Sequence, residues 1–221
     1  MDLPIENRKT AGQALAEALR AYRDRDDVIV LGLPRGGVPV AMEVAVALDA
    51  PLDLMLVRKL GTPGQEELAM GAIASGDSRV INEDVVQALA ISPRVIEQVA
   101  AEERNELKRR EQAYRGKRPW PKLADRCVIL VDDGLATGAT MRVAVEAVRA
   151  QLPAYIVVAV PVAPADTVAM LRQQADEIVC LAEPEPFRAI GQWYLDFSQV
   201  NDEEVRQMLG KAWNEPAEEK T

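Results

Sequence analysis

Histidine is absent from the 221 residues of this chain. Its absence excludes nucleophiles that are activated by an imidazole base, and metal centres that depend on imidazole ligands. Acid–base chemistry would therefore fall to carboxylates or lysine. Cysteine is also scarce, because Cys127 and Cys180 stand alone and follow no spacing typical of a zinc site. We expect two buried thiols without a chemical role in a reducing compartment.

A basic surface and a long apolar run are missing as well. The net charge is −9 and the pI is near 4.8, so we expect no nucleic-acid partner and no binding to anionic membranes, which both need a basic face. No apolar run approaches the roughly 18 residues of a membrane span, and residues 1–10 lack the layout of a signal peptide. The sequence predicts a cytoplasmic protein that binds a small molecule.

The chain length and the 48% apolar content predict a single domain over residues 1–221. Short apolar segments, predicted as strands, occupy residues 28–34, 52–57, 127–131, 155–162 and 177–182. Segments with helical periodicity occupy residues 8–23, 38–48, 83–115, 141–152, 165–174 and 202–210. This alternation predicts an α/β fold: an open, mainly parallel, twisted sheet flanked by helices.

Two charged or glycine-rich segments interrupt this alternation. Residues 58–68 contain Gly, Pro and clustered charge and are predicted to be a flexible loop, followed by short antiparallel strands at 69–74 and 79–82. In the helix predicted over 83–115, Glu106 with Arg110 and Glu111 with Arg115 have i,i+4 spacing, which indicates a solvated face.

The segment VILVDDGLATGAT, residues 128–140, carries the clearest chemical signal. A strand leads into Asp132 and Asp133, and small residues then lead into the next helix. Carboxylates accept hydrogen bonds from a diol, and backbone amides at a helix N-terminus bind phosphate, so this order favours a sugar phosphate. The alternative is that the acids cap the helix and the glycines turn the chain.

This segment resembles the phosphoribosyl-pyrophosphate motif of the type I phosphoribosyltransferases. The resemblance extends over about residues 26–182. The whole sequence also resembles a bacterial group of predicted phosphoribosyltransferases with no assigned acceptor. The resemblance implies a core over 26–182 and a small hood from residues 1–25 and 183–210. It also implies that the donor is bound by Asp132, Asp133, Gly134, Ala136, Thr137, Gly138, Ala139 and Thr140.

Two further segments are similar to loops of the same family. LPRGG, residues 33–37, resembles the pyrophosphate loop, which implies substrate contacts from Arg35, Gly36 and Gly37 and a cis peptide at Arg35–Gly36; an ordinary glycine turn is the alternative. Residues 57–71 are similar to the flexible loop of adenine phosphoribosyltransferases. By that resemblance Arg58, Lys59 and Glu67 are catalytic, and Glu66 or Glu67 lies on a lid that closes over the reacting centre. The alternative for the glutamates is a solvated loop with no role.

The resemblance implies displacement of pyrophosphate from the ribose by a nitrogenous base or a similar acceptor. It implies Mg²⁺ as cofactor, held mostly through the substrate, with Asp132 and Asp133 as candidate ligands. It also implies a homodimer. The rival functions are a sensor that binds phosphoribosyl pyrophosphate or a nucleotide without turnover and, last, a sugar-phosphate hydrolase.

The acceptor is not fixed by the sequence. Phe187 is the candidate for stacking on a base, and Trp193, Tyr194 and Phe197 either join it or pack against the sheet edge. A 6-oxopurine is not expected, because Ala136 replaces the aspartate that hypoxanthine-guanine enzymes carry in the loop. Residues 160–167 also lack the lysine that those enzymes present to the oxo group.

Overall fold

The computed structural model describes residues 2–214, with the side chains of Glu66, Glu67 and Asn214 outside that description. Eight strands are β1 Val28–Gly32, β2 Leu52–Leu54, β3 Val57–Thr62, β4 Gln65–Ala74, β5 Ser78–Ile81, β6 Cys127–Val131, β7 Tyr155–Val162 and β8 Glu177–Ala182. The helices are α1 Arg8–Ala18, α2 Gly37–Leu48, α3 Glu83–Ala88, α4 Pro93–Arg115, α5 Ala139–Arg149, α6 Ala165–Leu171 and α7 Asp202–Asn214.

The predicted parallel sheet is confirmed, with five strands in the order β2-β1-β6-β7-β8. Helices α1, α2 and α7 pack on one face, and α5 and α6 pack on the other. Strands β1 and β6 are buried along their whole length, which explains why they are continuous apolar runs in the sequence.

The flexible loop predicted over residues 58–68 is wrong. Strands β3 and β4 form a hairpin around Pro63 and Gly64, and β5 extends it to a three-stranded antiparallel sheet. The hairpin is ordered because Leu60 and Met70 are fully buried against α4. Gly and Pro therefore mark a tight turn here, and the antiparallel strands predicted after the loop are confirmed.

The single helix predicted over residues 83–115 is divided into two helices, α3 and α4. The charged face of α4 is only partly solvated. The pair of Glu106 and Arg110 forms at 3.0 Å, as predicted. Arg115 instead is buried, where its Nε and Nη2 both lie 2.8 Å from Asp53 Oδ1 and Nη2 also donates to the Leu54 carbonyl. The solvated interpretation is thus wrong for Arg115, because β2 presents a buried carboxylate to the end of α4.

Two smaller predictions also need correction. Leu152 does not continue the apolar stripe of α5, since the helix ends at Arg149 and Leu152 is 76% exposed. Cys127 is buried but Cys180 only partly so, and both are free thiols whose pKa is raised to about 11, chiefly by burial. Within residues 2–214, no helix has the length and apolar character needed to cross a bilayer.

The N-terminal segment pairs with the segment that precedes α7, beside the loop that follows β6. Ile5 N donates to the Trp193 carbonyl and Leu195 N donates to the Ile5 carbonyl, both at 2.7 Å. Asp196 N donates to the Glu6 carbonyl at 2.9 Å. We call residues 5–8 and 193–198 the terminal clasp.

Candidate functional site

The carboxyl ends of β1, β6, β7 and β8 lie at one edge of the sheet because these strands are parallel. The loops that follow them therefore meet there, which is where open α/β sheets bind ligands. The segments predicted from sequence, 33–37 and 132–140, are two of these loops.

The loops after β1 and β6 are in direct contact. Leu33 N donates to the Val131 carbonyl at 2.9 Å. A Cβ on Gly36 would lie 1.9 Å from Asp133 Oδ2, and one on Gly37 would lie 2.9 Å from Asp132 Oδ1. Only glycine allows this approach, so the two motifs are parts of one surface.

The two acids differ in burial and in hydrogen-bond partners. Asp132 is partly exposed, and its Oδ1 accepts a hydrogen bond from Asp133 N at 2.9 Å. Asp133 is buried, and its Oδ2 accepts a hydrogen bond from Arg8 Nε at 2.8 Å. Its carbonyl accepts one from Tyr194 Oη at 2.6 Å.

Burial sets the protonation tendency of this pair. It raises the pKa of Asp132 well above its usual range, and the negative charge of Asp133 raises it further. Burial also raises the pKa of Asp133, while the guanidinium of Arg8 opposes that rise. A cationic partner or hydroxyl donors would therefore stabilise the ionised pair.

The segment from Gly134 to Thr140 forms the loop into α5. Gly138, at the helix N-cap, has φ 68°, a conformation that favours glycine. Thr167 at the start of α6 donates from its hydroxyl to the Ala136 carbonyl at 2.7 Å and so fixes the loop. Ala136, Thr137 and Thr140 are exposed, and the first amides of α5 have no intrahelical acceptor. The loop can therefore receive an anion.

The cationic candidates are distributed over different surfaces. Arg35 is about half exposed, with Nη1 3.7 Å from Asp202 Oδ1 at the start of α7. The cis peptide of this loop is Pro34–Arg35, one bond before the predicted Arg35–Gly36.

Arg58 and Lys59 point to opposite faces of β3, because side chains alternate along a strand. Arg58 donates to Glu103 Oε2 on α4 at 2.6 Å. Lys59 is exposed and makes no ion pair with any residue that the structure describes. The backbone of Glu67 lies in β4, but its predicted catalytic side chain is outside the described residues.

Phe187 lines an open cleft of about 500 Å³ beyond the ends of β7 and β8, together with Pro164, Ala165, Asp166, Pro184, Glu185 and Pro186. The other aromatic residues of the C-terminal segment mainly pack together. Tyr194 is buried, and the centre of its ring lies 5.0 Å from the centre of the Phe197 ring. The centres of the Trp193 and Phe187 rings are 6.1 Å apart. Of the four, Phe187 is the ring that faces this cleft.

Arg8 and Thr167 contact the site but were not predicted from the sequence, and Tyr194 was predicted only as a ring near the acceptor, not as a partner of Asp133. Arg8 is 125 positions from Asp133, so no spacing could link them. One weak signal exists, because Arg8 opens α1 after the Asn7 cap, where the helix dipole disfavours a cation. An arginine at that position indicates a partner elsewhere in the fold.

Comparison with known proteins adds three findings. Residues 3–197 match the family model described as the phosphoribosyl transferase domain. Proteins from two strains of Mycobacterium tuberculosis, each provisionally named a phosphoribosyl transferase, are 46% identical over 214 residues and 97% of this chain. That match covers 48% of those proteins, so the chain spans about half the length of the curated relatives it matches.

A solved structure, TT1426 of Thermus thermophilus, is 43% identical, with a TM-score of 0.83 over 94% of this chain and 98% of that one. The match to the family model spans most of the chain and includes every loop of the site described above. The chain therefore belongs to the phosphoribosyl transferase family.

Proposed function

We propose that the chain transfers the ribose 5-phosphate of phosphoribosyl pyrophosphate to a nitrogenous base, with release of pyrophosphate. The observation that carries the proposal is the joining of the two glycine-containing loops at Gly36 and Asp133. One loop offers carboxylates and helix-terminal amides, and the other offers backbone and Arg35. A pentose that carries a 5-phosphate and a 1-pyrophosphate needs both kinds of partner.

The donor would lie along the edge of the sheet. Its 5-phosphate would bind the loop from Gly134 to Thr140, where the amides of α5 begin. Its hydroxyls would donate to the carboxylates of Asp132 and Asp133, and the more exposed Asp132 is the more accessible of the two. Pyrophosphate would meet the amide of Gly36, since the amide of Gly37 already donates to the Leu33 carbonyl at 3.0 Å. Lys59 would supply a positive charge as the leaving group departs.

The chemistry of the donor set fits Mg²⁺. Asp132 offers a partly exposed carboxylate at the edge of the sheet, and Mg²⁺ is a hard cation that commonly combines one or two carboxylates with substrate oxygens. Asp132 is the better candidate ligand, since Arg8 occupies Oδ2 of Asp133. The bound ion would neutralise charge on the pyrophosphate.

The acceptor would enter the cleft at Phe187, whose ring could stack on a flat base. The residues that line this cleft include two acids, Asp166 and Glu185, and neither lysine nor arginine. Carboxylates accept hydrogen bonds from amino groups, whereas an oxo group needs a donor. This lining therefore favours an amino-bearing base over a 6-oxopurine.

The test is to incubate the protein with phosphoribosyl pyrophosphate, Mg²⁺ and a panel of amino- and oxo-bases, and to measure pyrophosphate release. We expect release with at least one amino-base. Asp132→Asn should weaken donor binding about 10- to 100-fold, because it removes a charge-assisted hydrogen bond worth about 1.5–3 kcal/mol.

Glu17→Gln is the matched control, since the side chain of Glu17 is 74% exposed and forms an ion pair with Arg20, which is not part of the proposed donor site. It should bind the donor like wild type. Donor binding without release for any base would instead favour a sensor. Failure to bind the donor at all would contradict both functions.

A further inference from the structure

Arg8 makes three contacts, one with the proposed donor site and two with the terminal clasp. Its Nε donates to Asp133 Oδ2 at 2.8 Å, and its Nη1 donates to the Ser198 carbonyl at 2.7 Å. Its guanidinium carbon lies 4.0 Å from the centre of the Phe197 ring. One side chain thus joins α1, the C-terminal half of the clasp and the acid pair.

This arrangement is specific to arginine. The planar guanidinium can donate in two directions while it stacks on an aromatic ring, whereas a lysine amine is a compact point charge. The side chains of Arg8 and Asp133 are only 11% and 10% exposed. Removal of one partner would leave the other buried and unpaired, so the pair is strongly constrained in position.

Asp133 is fixed by three segments that are far apart in the sequence. Arg8 holds its carboxylate, Tyr194 holds its carbonyl, and the backbone of Gly36 packs against Oδ2. The charged or titratable groups that face it are Arg8 from α1, Tyr194 from the clasp and its neighbour Asp132. Arg8 donates to Oδ2, and the neighbouring carboxyl of Asp132 lies within hydrogen-bonding reach of Asp133. A ligand hydroxyl would therefore meet a carboxylate that Arg8 already orients.

We propose that Arg8 is a positioning residue for the donor, which orients the Asp133 carboxylate toward the pentose hydroxyls and couples donor binding to the terminal clasp. This proposal rests on the donor site proposed above. It assigns a function to the N-terminal segment beyond covering the acceptor. Because Arg8 and Ser198 belong to opposite halves of the clasp, the residue that orients Asp133 also ties these two halves together.

The experiment compares the binding of ribose 5-phosphate and 2-deoxyribose 5-phosphate by isothermal titration calorimetry. The two ligands share the phosphate and differ by one hydroxyl. Wild type should prefer ribose 5-phosphate about tenfold, the effect of one hydrogen bond to a charged group. Arg8→Met keeps a long apolar side chain, and its preference should fall below about threefold with little change for the deoxy ligand.

Arg8→Lys should recover part of the preference, since it keeps the charge but can reach fewer of the three partners. It also provides a folded variant if Arg8→Met is unstable. Arg20→Met is the matched control, because Arg20 is 78% exposed and pairs with Glu17. Its preference should equal that of wild type.

Two results would overturn the proposal. An unchanged preference in both Arg8 variants would give Arg8 a purely structural role. Tighter binding of ribose 5-phosphate by Arg8→Met would mean that Arg8 competes with the hydroxyls. If wild type itself does not bind ribose 5-phosphate, the donor site fails and this proposal fails with it.

Discussion

Gly36→Ala tests the contact between the two loops most directly. The backbone of Gly36 has φ −62° and ψ −31°, which alanine adopts without strain. On conformational grounds alone the substitution would stabilise the protein by about 0.4–1 kcal/mol, because it restricts the unfolded chain. Any loss of stability must therefore come from the space around the new methyl group.

That space is occupied by Asp133. The new Cβ would lie 1.9 Å from Oδ2 and 2.6 Å from Cγ, whereas real Cβ contacts are essentially never under 3.0 Å. A gap of about 1.1 Å must open, and Asp133 cannot yield freely because Arg8 and Tyr194 hold it at 2.8 and 2.6 Å. We expect loss of the bond to Arg8, at about 1.5–3 kcal/mol.

The expected net result is a loss of stability of about 1–2 kcal/mol, or a Tm lower by about 2–8 °C for a domain of this size. Donor binding should weaken about 10- to 100-fold, since the displaced Asp133 carboxylate would lose a charge-assisted hydrogen bond to the ribose that is worth about 1.5–3 kcal/mol. Urea unfolding and calorimetric titration with phosphoribosyl pyrophosphate measure the two effects.

Gly210→Ala is the control, because the same substitution in α7 meets nothing within 4 Å. It should raise stability by up to about 1 kcal/mol through helix propensity and leave donor binding unchanged. If Gly36→Ala matches Gly210→Ala in both measurements, the loops do not form the joined surface on which the proposed donor site depends.

Arg115→Met should destabilise the protein by about 3–5 kcal/mol near pH 8, because it leaves the buried carboxylate of Asp53 unpaired. Burial already raises the pKa of Asp53, and Arg115 opposes that rise. Without Arg115, the cost of burying the ionised Asp53 carboxylate is present above the pKa that Asp53 has in the folded protein, and it is relieved as the pH falls through that pKa. Urea unfolding should therefore show a smaller loss of stability at pH 5. An equal loss of stability at both pH values would contradict this account, as would a similar loss in the exposed control Arg109→Met. Lys59→Ala should slow turnover about 10- to 100-fold while donor affinity changes less than about threefold, because charge on the leaving group develops in the transition state. Steady-state rates measure turnover, and calorimetry measures donor affinity. Lys108→Ala, at an exposed position of α4, is the control and should behave as wild type. Weakened donor binding with unchanged turnover would refute the role of Lys59.

The parallel sheet could be predicted from the sequence because its signal is local. Strands such as β1 and β6 are buried on both faces, so nearly every residue in them is apolar. Each of these strands is followed by a segment whose apolar residues recur with the period of a helix. The loop of residues 132–140 was predicted for the same reason, since its acids and small residues are consecutive in the chain.

The predictions that failed depended on partners far away in the sequence. Leu60 is buried only because α4 packs over the hairpin, and the Gly-Pro pattern around it gave no sign of that contact. Arg115 has i,i+4 spacing from Glu111, but its closer partner is Asp53, 62 positions away. Local patterns describe helix faces and turns, whereas burial depends on which elements meet.

The sequence by itself determined the alternating strands and helices of the parallel sheet, the two acids, and the small residues that lead into α5, because each is set by neighbours along the chain. Only the tertiary structure decided that Gly36 lies against Asp133, that Arg8 holds the same carboxylate, and that Arg58 faces α4 while Lys59 faces away. The contact of Gly36 with Asp133 arises where parallel strands bring separate loops to one edge of the sheet, whereas Arg8 and Arg58 reach partners on other elements that pack beside them. In each case no short segment of sequence contains both partners.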